Sequence, residues 1–218
     1  MGLFVTFEGI EGSGKTTQIE LAGEYLGRRG IPCLRTEEPG GTSLGRRLRE
    51  LLLNRGPFAI CPEAELLLFA AARAQHVREA ILPALAAGKV VLCDRFADAT
   101  AVYQGYARGL DMETVNFLNA FAIHGRHPDL TLLFDLPAEK GLTRARTRIE
   151  LMTGGRKEDR FEGEELSFHR KVREGYLLMA HREVERFRVI DAAGSIADLR
   201  EAVCFHLDRL LMESGTKT

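Results

Sequence analysis

The chain has 218 residues, of which 45% are apolar and 28% are charged, and its formal net charge is −1. These values are typical of one globular domain, and a charge so near zero argues against nonspecific binding to nucleic acid or to an anionic membrane. The longest apolar stretches, such as LLLFAAA at 66–72, are much shorter than the ~20 residues that a membrane-spanning helix needs.

Short apolar runs alternate with stretches that have helical spacing. The runs predict five strands, at residues 3–7, 33–36, 90–93, 130–135 and 187–190. The stretches between them predict helices at 15–29, 62–87, 112–123, 138–151, 166–186 and 196–212, with Pro83 kinking or ending the second. This alternation predicts an α/β fold in which a five-stranded parallel sheet carries helices on both faces, and residues 1–218 form a single domain.

One segment, residues 146–165, has no clear period. It is crowded with charged residues and has Gly154 and Gly155 near its middle. We interpret it as a lid that leaves the domain surface and can move, and the alternative is a solvated charged loop. The four cysteines, Cys33, Cys61, Cys93 and Cys204, form no CxxC pair, and no secretory signal begins the chain, so we expect reduced thiols in a cytoplasmic protein.

The stretch EGIEGSGKTT lies between the first predicted strand and the first predicted helix, and it fits the P-loop pattern G-x-x-x-x-G-K-[ST]. Glycines let backbone N–H groups surround phosphate oxygens, the helix N-terminus favours an anion, a lysine reaches the β and γ phosphates, and a hydroxyl can ligate Mg²⁺. The alternative is a chance glycine-rich turn. The motif nominates as triphosphate-binding residues Gly9, Ile10, Glu11, Gly12, Ser13, Gly14, Lys15, Thr16 and Thr17.

Two further motifs end predicted strands, where the carboxyl edge of a parallel sheet binds ligands. Asp94 ends the third strand and could hold Mg²⁺ together with Thr16, and Arg95 beside it would face a phosphate. The alternative is that Asp94 and Arg95 belong to a surface salt bridge. EEPGGT at 37–42 follows the second strand and predicts a sharp turn that brings backbone close to a ligand, although a plain turn is an equal alternative.

These motifs, together with LLFAAARAQ, YQGYARG, PDLTLLFDLPAEKGLTRAR and DRFE, resemble the bacterial thymidylate kinases along nearly the whole chain. The resemblance implies a P-loop NTPase fold, Mg²⁺-dependent phosphoryl transfer from ATP to dTMP, and a homodimer. It implies that Phe69 stacks on thymine, that Arg73, Thr100 and Gln104 meet the base, and that Tyr103 packs on the deoxyribose. The implied acceptor site comprises Glu38, Pro39, Arg49, Phe69, Arg73, Arg95, Thr100, Tyr103 and Gln104.

Without the resemblance, Phe69 would be interpreted as a core aromatic residue. Arg73 is harder to explain as part of the core, because a charge in an apolar helix needs a partner. The sequence also departs from the family pattern at Glu37, where an arginine is usual, and at Ala99, where a serine is usual.

Gly12 occupies a P-loop position at which one branch of the family has a catalytic arginine. The chain therefore resembles the other branch, whose lid supplies that arginine, and the candidates are Arg146, Arg148, Arg156 and Arg160. Arg148 is the first choice and Arg160 the second. The expected catalytic set is Lys15, Asp94, Arg95, Arg148 and Arg160.

Two other functions remain open at this point. The first is a kinase for a different nucleoside monophosphate or for a deoxynucleoside. The second is a P-loop switch that hydrolyses a nucleoside triphosphate to regulate a partner, although the chain has no guanine-reading Asn-Lys-x-Asp motif after a later strand.

Overall fold

The computed structural model describes residues 2–54, 59–153 and 160–215, apart from the side chains at 148, 149, 152 and 153. Within those residues, no helix combines the length and the apolarity that crossing a lipid bilayer would require.

The five predicted strands are confirmed, and they form one parallel sheet in the order β2-β3-β1-β4-β5. They span β1 Phe4–Glu8, β2 Cys33–Glu37, β3 Val90–Asp94, β4 Leu130–Asp135 and β5 Phe187–Asp191. Each strand begins and ends within one residue of its predicted bounds. The central strand, β1, is buried along its whole length, as expected for a parallel sheet with helices on both faces.

The helices account for most of the remaining chain. They are α1 Lys15–Arg28, α2 Ser43–Leu53, α3 Pro62–His76, α4 Leu82–Ala86, α5 Ala97–Thr100, α6 Met112–Ile123, α7 Ala138–Thr153, α8 Leu166–Arg182 and α9 Ile196–Glu213. Two π-helical segments, Val77–Ile81 and Ala101–Ala107, continue α3 and α5.

Three differences from the sequence prediction have physical causes. Helix α2 was not predicted; it begins where the Thr42 side chain accepts a hydrogen bond from Gly45 N at 2.9 Å and caps the helix. The predicted helix at 62–87 contains a π-helical segment just before Pro83, where the widened turn accommodates a residue that has no N–H to donate. The helix predicted to end at 186 stops at Arg182, ahead of the turn into β5.

Aromatic rings fill both faces of the central strand. Phe7 and Phe134 stack at 5.8 Å between ring centroids, and on the other face Phe4 meets Phe96 edge-on at 4.9 Å. The two threonines at the sheet centre, Thr6 and Thr131, hydrogen-bond to each other at 2.9 Å, which satisfies polar atoms that are out of reach of solvent. The packed sheet thus provides a rigid support, and its carboxyl edge carries the motifs described above.

Candidate active site

The P-loop turns between β1 and α1 and encloses the amino group of Lys15. The Lys15 Nζ donates to Ile10 O at 2.8 Å and to Gly9 O at 3.1 Å. Burial, and then the nearby charge of Arg95, lower the pKa of Lys15 to about 8, while Asp94 and Glu11 act in the opposite direction. The loop therefore holds a buried cation beside its backbone, at the start of α1.

Gly12 is required by the close packing of the P-loop against α7. Its φ is +70°, and a Cβ at this position would lie 2.1 Å from Gly141 O, which is a severe clash with backbone. From the other side, a Cβ on Gly141 would lie 2.6 Å from Glu11 O. No side chain fits at position 12 unless α7 moves away.

Thr16 and Asp94 meet at the carboxyl ends of β1 and β3. The Thr16 hydroxyl donates to Asp94 Oδ2 at 2.8 Å. No group of three or more His, Cys, Asp or Glu side chains suited to a metal occurs among the residues that the structure describes. A hydroxyl and one carboxylate suit Mg²⁺, which is commonly bound by one or two protein oxygens together with nucleotide phosphates and water.

Arg95 lies beside the P-loop and lines the cleft that runs from the P-loop to α3. Its guanidinium donates to Gly9 O at 2.9 Å and to Glu11 Oε1 at 2.7 Å, and its Cζ atom lies 4.9 Å from the centroid of the Tyr103 ring. Its φ of 65° is in the left-handed region, which costs a non-glycine residue about 1–3 kcal/mol. The surrounding contacts hold Arg95 in this unfavourable conformation, as often occurs at functional sites.

The Glu11 carboxylate is the centre of a buried cluster. Its Oε1 accepts from Arg95 and from the Tyr103 hydroxyl, the latter at 2.7 Å, and its Oε2 lies 3.2 Å from His169 Nδ1. Burial alone would raise the pKa of Glu11, but Arg95, His169 and Lys15 outweigh it and hold the pKa well below its usual range. The sequence nominated Glu11 only as a member of the loop, and nothing in the sequence pointed to His169.

Arg73 is 1% exposed, and four of its five N–H groups have partners. The Nε donates to Glu38 Oε2 at 2.8 Å, Nη1 to Asn119 Oδ1 at 2.7 Å, and Nη2 to Phe96 O at 3.0 Å and Thr100 Oγ1 at 2.9 Å. One Nη1 hydrogen is left over from these bonds. Arg73 is thus a structural residue that also lines the cleft, and its partner Asn119 had no signal in the sequence.

Glu38 holds a histidine as well as Arg73. Its Oε1 lies 2.9 Å from His76 Nδ1, and His76 Nε2 lies 2.6 Å from Thr36 Oγ1. Because a carboxylate only accepts, His76 donates through Nδ1, and in the neutral imidazole its Nε2 accepts a hydrogen bond from the Thr36 hydroxyl. The turn that carries Glu38 is therefore fixed against α3, which the spacing of EEPGGT alone could not show.

Three aromatic residues form one wall of the cleft. Phe161 has its ring centroid 6.1 Å from that of Phe69 and 5.7 Å from that of Tyr103. Phe69 is only partly buried; it packs on the main core and also lines the cleft, so the two sequence interpretations of this residue are compatible. In the sequence Phe161 is part of the DRFE motif, from which no role was predicted for it.

The structure shows what surrounds Glu37 and Ala99, the two positions at which the sequence departs from the family pattern. Glu37 lies 3.2 Å from a guanidinium nitrogen of Arg49, which also donates to Pro39 O at 2.8 Å. Arg49 is therefore held at the cleft rim by the EEPGGT turn. Ala99 lines the cleft and presents a methyl group where a serine would present a hydroxyl.

Gln104 and Arg160 both contact one buried carboxylate, Glu65. Gln104 Nε2 donates to it at 2.7 Å, and Arg160 forms an ion pair with it while donating through Nε to Leu52 O at 3.0 Å. Arg160 is thus anchored beside the C-terminal end of α2.

The remaining lid arginines are Arg146, Arg148 and Arg156. Arg146 lies in α7 and makes contacts of its own. The backbone of Arg148 also lies in α7, but its side chain and the whole of Arg156 lie outside the described residues.

Most of the nominated side chains line a single cleft that runs from the P-loop to α3. Its wall contains the predicted residues Glu11, Gly12, Lys15, Thr16, Glu38, Pro39, Arg49, Phe69, Arg73, Asp94, Arg95, Thr100, Tyr103 and Gln104. The other lining residues are Glu37, Leu53, Phe96, Ala99, Phe161 and Glu162. The cleft has a cationic end at the P-loop and an aromatic end at Phe69, which suits a ligand with a phosphate and a flat ring.

Comparisons with known proteins agree with this geometry. A family model described as thymidylate kinase matches residues 7–203. A thymidylate kinase of Syntrophus aciditrophicus is 60% identical over 96% of each chain, and one of Desulfosudis oleivorans is 54% identical over 95% of this chain and 97% of its own. The crystal structure of thymidylate kinase from Ehrlichia chaffeensis superposes with a TM-score of 0.74 at 33% identity, over 94% of this chain and 98% of that chain. Because the family model and these relatives extend along nearly its whole length, the chain belongs to the thymidylate kinase family.

Proposed function

We propose that this protein transfers the γ-phosphoryl group of ATP to dTMP, giving ADP and dTDP, in the cytoplasm and as one catalytic domain of residues 1–218. The observation that carries the proposal is the single cleft with Lys15 at one end and Phe69 and Arg73 at the other. Membership of the thymidylate kinase family supports the same reaction.

Binding and alignment account for most of the chemistry. The P-loop backbone and Lys15 hold the β and γ phosphates of ATP, and Thr16 and Asp94 hold Mg²⁺. When bound, Mg²⁺ neutralises charge on the phosphate oxygens. Arg95 and Arg49 hold the acceptor phosphate so that one of its oxygens faces the γ-phosphorus. Holding two nucleotides in this order replaces a bimolecular encounter by an aligned reaction, and closing the cleft excludes water as a competing acceptor.

The acceptor nucleoside occupies the aromatic end of the cleft. Phe69 stacks on the base, the remaining N–H of Arg73 donates to a base carbonyl, and Tyr103 packs on the sugar. Glu11 supports this arrangement because one of its oxygens holds both Arg95 and Tyr103. Thr100 acts partly through Arg73, because its hydroxyl oxygen accepts a hydrogen bond from Arg73 Nη2.

The catalytic arginine comes from α7 and the lid that follows it. Gly12 supplies no side chain, and α7 packs so tightly on the loop that a Cβ at Gly12 would lie 3.2 Å from Ala145 N. Arg148 follows Ala145 by three residues, which is close to one helical turn, so the helix carries it past the P-loop. Residues 146–165 then act as the lid that closes over ATP.

Two copies of the chain form a dimer through α6 and the neighbouring helix α3. Phe117 and Phe121 lie one turn apart on α6 and are 68% and 76% exposed, and Leu67 on α3 is 55% exposed. Large apolar side chains that are this exposed, on two helices in contact, are typical of a protein–protein interface.

The reaction itself is tested by measuring ADP release with and without dTMP. We expect release to depend almost completely on dTMP, and Lys15→Met to abolish most of it with an unchanged circular dichroism spectrum. ADP release at the same rate without dTMP would mean that the protein is a hydrolase. Faster turnover with another nucleoside monophosphate would mean a kinase of different specificity.

Arg73→Ala should raise the KM for dTMP roughly ten- to a hundredfold and leave the KM for ATP nearly unchanged, because a charge-assisted hydrogen bond contributes about 1.5–3 kcal/mol. It should also destabilise the fold by about 3–5 kcal/mol, since Glu38 is left buried without its partner. Arg186→Ala is the control: it breaks the ion pair with Asp98 away from the cleft, so it should lower stability without raising the KM for dTMP. Equal KM changes for both substrates would contradict a base contact.

Arg148→Ala should lower the single-turnover rate of phosphoryl transfer by at least ~100-fold while the Kd for dTMP stays the same, because the arginine acts mainly in the transition state. Arg144→Ala, in the same helix, removes a side chain that donates to Ala192 O and should have little effect. Alanine variants of Arg146, Arg156 and Arg160 complete the series. Wild-type rates in all four lid variants would show that the lid supplies no catalytic charge.

Replacing both Phe117 and Phe121 by aspartate should convert the dimer into a monomer, since two charges cannot be buried unpaired in an apolar interface. Sedimentation velocity should give twice the 24.2 kDa chain mass for the wild type and the single mass for the variant. Phe205→Asp is the control because Phe205 is 57% exposed on α9. A monomeric wild type, or a monomeric Phe205→Asp variant, would contradict this interface.

A further inference from the structure

Glu65 on α3 is a buried carboxylate, 1% exposed, that three donors share. Its Oε1 accepts from Gln104 Nε2 at 2.7 Å and from Arg108 Nε at 2.8 Å, and its Oε2 is paired with Arg160. Glu65 itself does not line the cleft, whereas Gln104 does. The carboxylate therefore lies directly behind a cleft residue.

The chemistry of this contact determines the orientation of the Gln104 amide. A carboxylate between two guanidinium groups accepts hydrogen bonds and donates none, so the amide nitrogen must face Glu65. The carbonyl oxygen then points away from Glu65. Rotating the amide by half a turn would bring the Gln104 oxygen against Glu65 Oε1 inside the protein, where the two acceptors repel each other and the Gln104 oxygen finds no donor. A glutamine without such a neighbour could present either its oxygen or its nitrogen to a ligand.

We propose that Glu65 is a positioning residue for base selection: it locks the Gln104 amide with its carbonyl oxygen toward the acceptor base. The site then accepts a pyrimidine whose ring nitrogen N3 carries a hydrogen. It rejects a pyrimidine whose N3 carries a lone pair instead. This inference rests on the proposed function, because it assigns to Glu65 the choice among acceptors of that reaction.

The neighbouring donor completes the pattern. Thymine and uracil present an N–H beside a carbonyl oxygen, and cytosine presents a bare nitrogen beside an amino group. Arg73, with one N–H left over from its four bonds, offers a donor for the carbonyl, and Gln104 offers an acceptor for the N–H. Cytosine would instead place its bare nitrogen against the Gln104 oxygen and its amino group against the Arg73 N–H. Such mismatches of buried polar groups give strong discrimination.

The test compares dUMP with dCMP, which differ only at this base edge. The measured quantity is the ratio of kcat/KM for dUMP to kcat/KM for dCMP in one enzyme preparation, so a partly unfolded variant does not distort it. Glu65→Met removes the acceptor at nearly constant side-chain length. We expect it to lower the ratio about tenfold, the effect of one hydrogen bond. The ratio of dTMP to dUMP, which reports on the methyl group, should stay the same.

Two further variants separate positioning from charge and packing. Glu65→Gln removes the charge but keeps a carbonyl oxygen, which turns toward the two donors Gln104 and Arg108, so the dUMP to dCMP ratio should be largely retained. Arg108→Gln disturbs the same cluster but leaves the Glu65–Gln104 contact in place, so it should also retain the ratio.

Gln104→Met tests the other partner and does not depend on whether Glu65→Met folds. It should lower the dUMP to dCMP ratio at least as far as Glu65→Met, and the double variant should lower it no further. An unchanged ratio in Glu65→Met or in Gln104→Met overturns the inference, and so does an equal loss in Glu65→Gln and Glu65→Met. In each case dTMP turnover by the wild type leaves the proposed reaction standing, and a wild type that does not phosphorylate dTMP overturns that reaction instead.

Discussion

The ion pair between Arg73 and Glu38 is the constraint on which the aromatic end of the cleft depends. Their side chains are 2% and 3% exposed, so neither charge can lose its partner without a large desolvation cost. Arg73 and His76 come from α3, Glu38 comes from the turn after β2, and the further partners Asn119 and Thr100 come from α6 and α5. One guanidinium thus fixes the relative positions of several elements before any ligand arrives, and this preorganisation lowers the cost of binding.

At the cationic end of the cleft, buried charges also hold one another in place, but the arrangement of the charges is different. Glu11 lies among Arg95, His169 and Lys15, and Glu8, at the end of β1, accepts from the Tyr176 hydroxyl at 2.6 Å and from Phe96 N at 2.7 Å. Burial, and then the charge of Asp98, raise the pKa of Glu8. The cations are therefore spaced along the cleft by fixed anions, and a bound phosphate meets donors that already have a defined direction.

The sequence was sufficient for the sheet and for the residues that short motifs identify. The strands were recognisable as apolar runs. Lys15 and Thr16 were predicted from the P-loop pattern, and Asp94 from its place at the end of a predicted strand. The sequence could not show Asn119, His76 or Glu65, because each matters through a partner 38 to 46 positions away along the chain. Helix α2 was missed although the sequence carries a signal for it, since Leu44, Leu48 and Leu51 recur at helical spacing after Thr42, a residue type that often caps helices.

The contact between Gly12 and Gly141 has a consequence for how such a chain can change over generations. An arginine at position 12 cannot be introduced first, since the obstacle is the backbone of α7 and trimming a side chain would not remove it. The helix must shift before the substitution is tolerated, and a shifted helix would also carry its own arginines to new positions. Position 12 and the placement of α7 are therefore coupled, and a lineage with glycine here can change either one only together with the other.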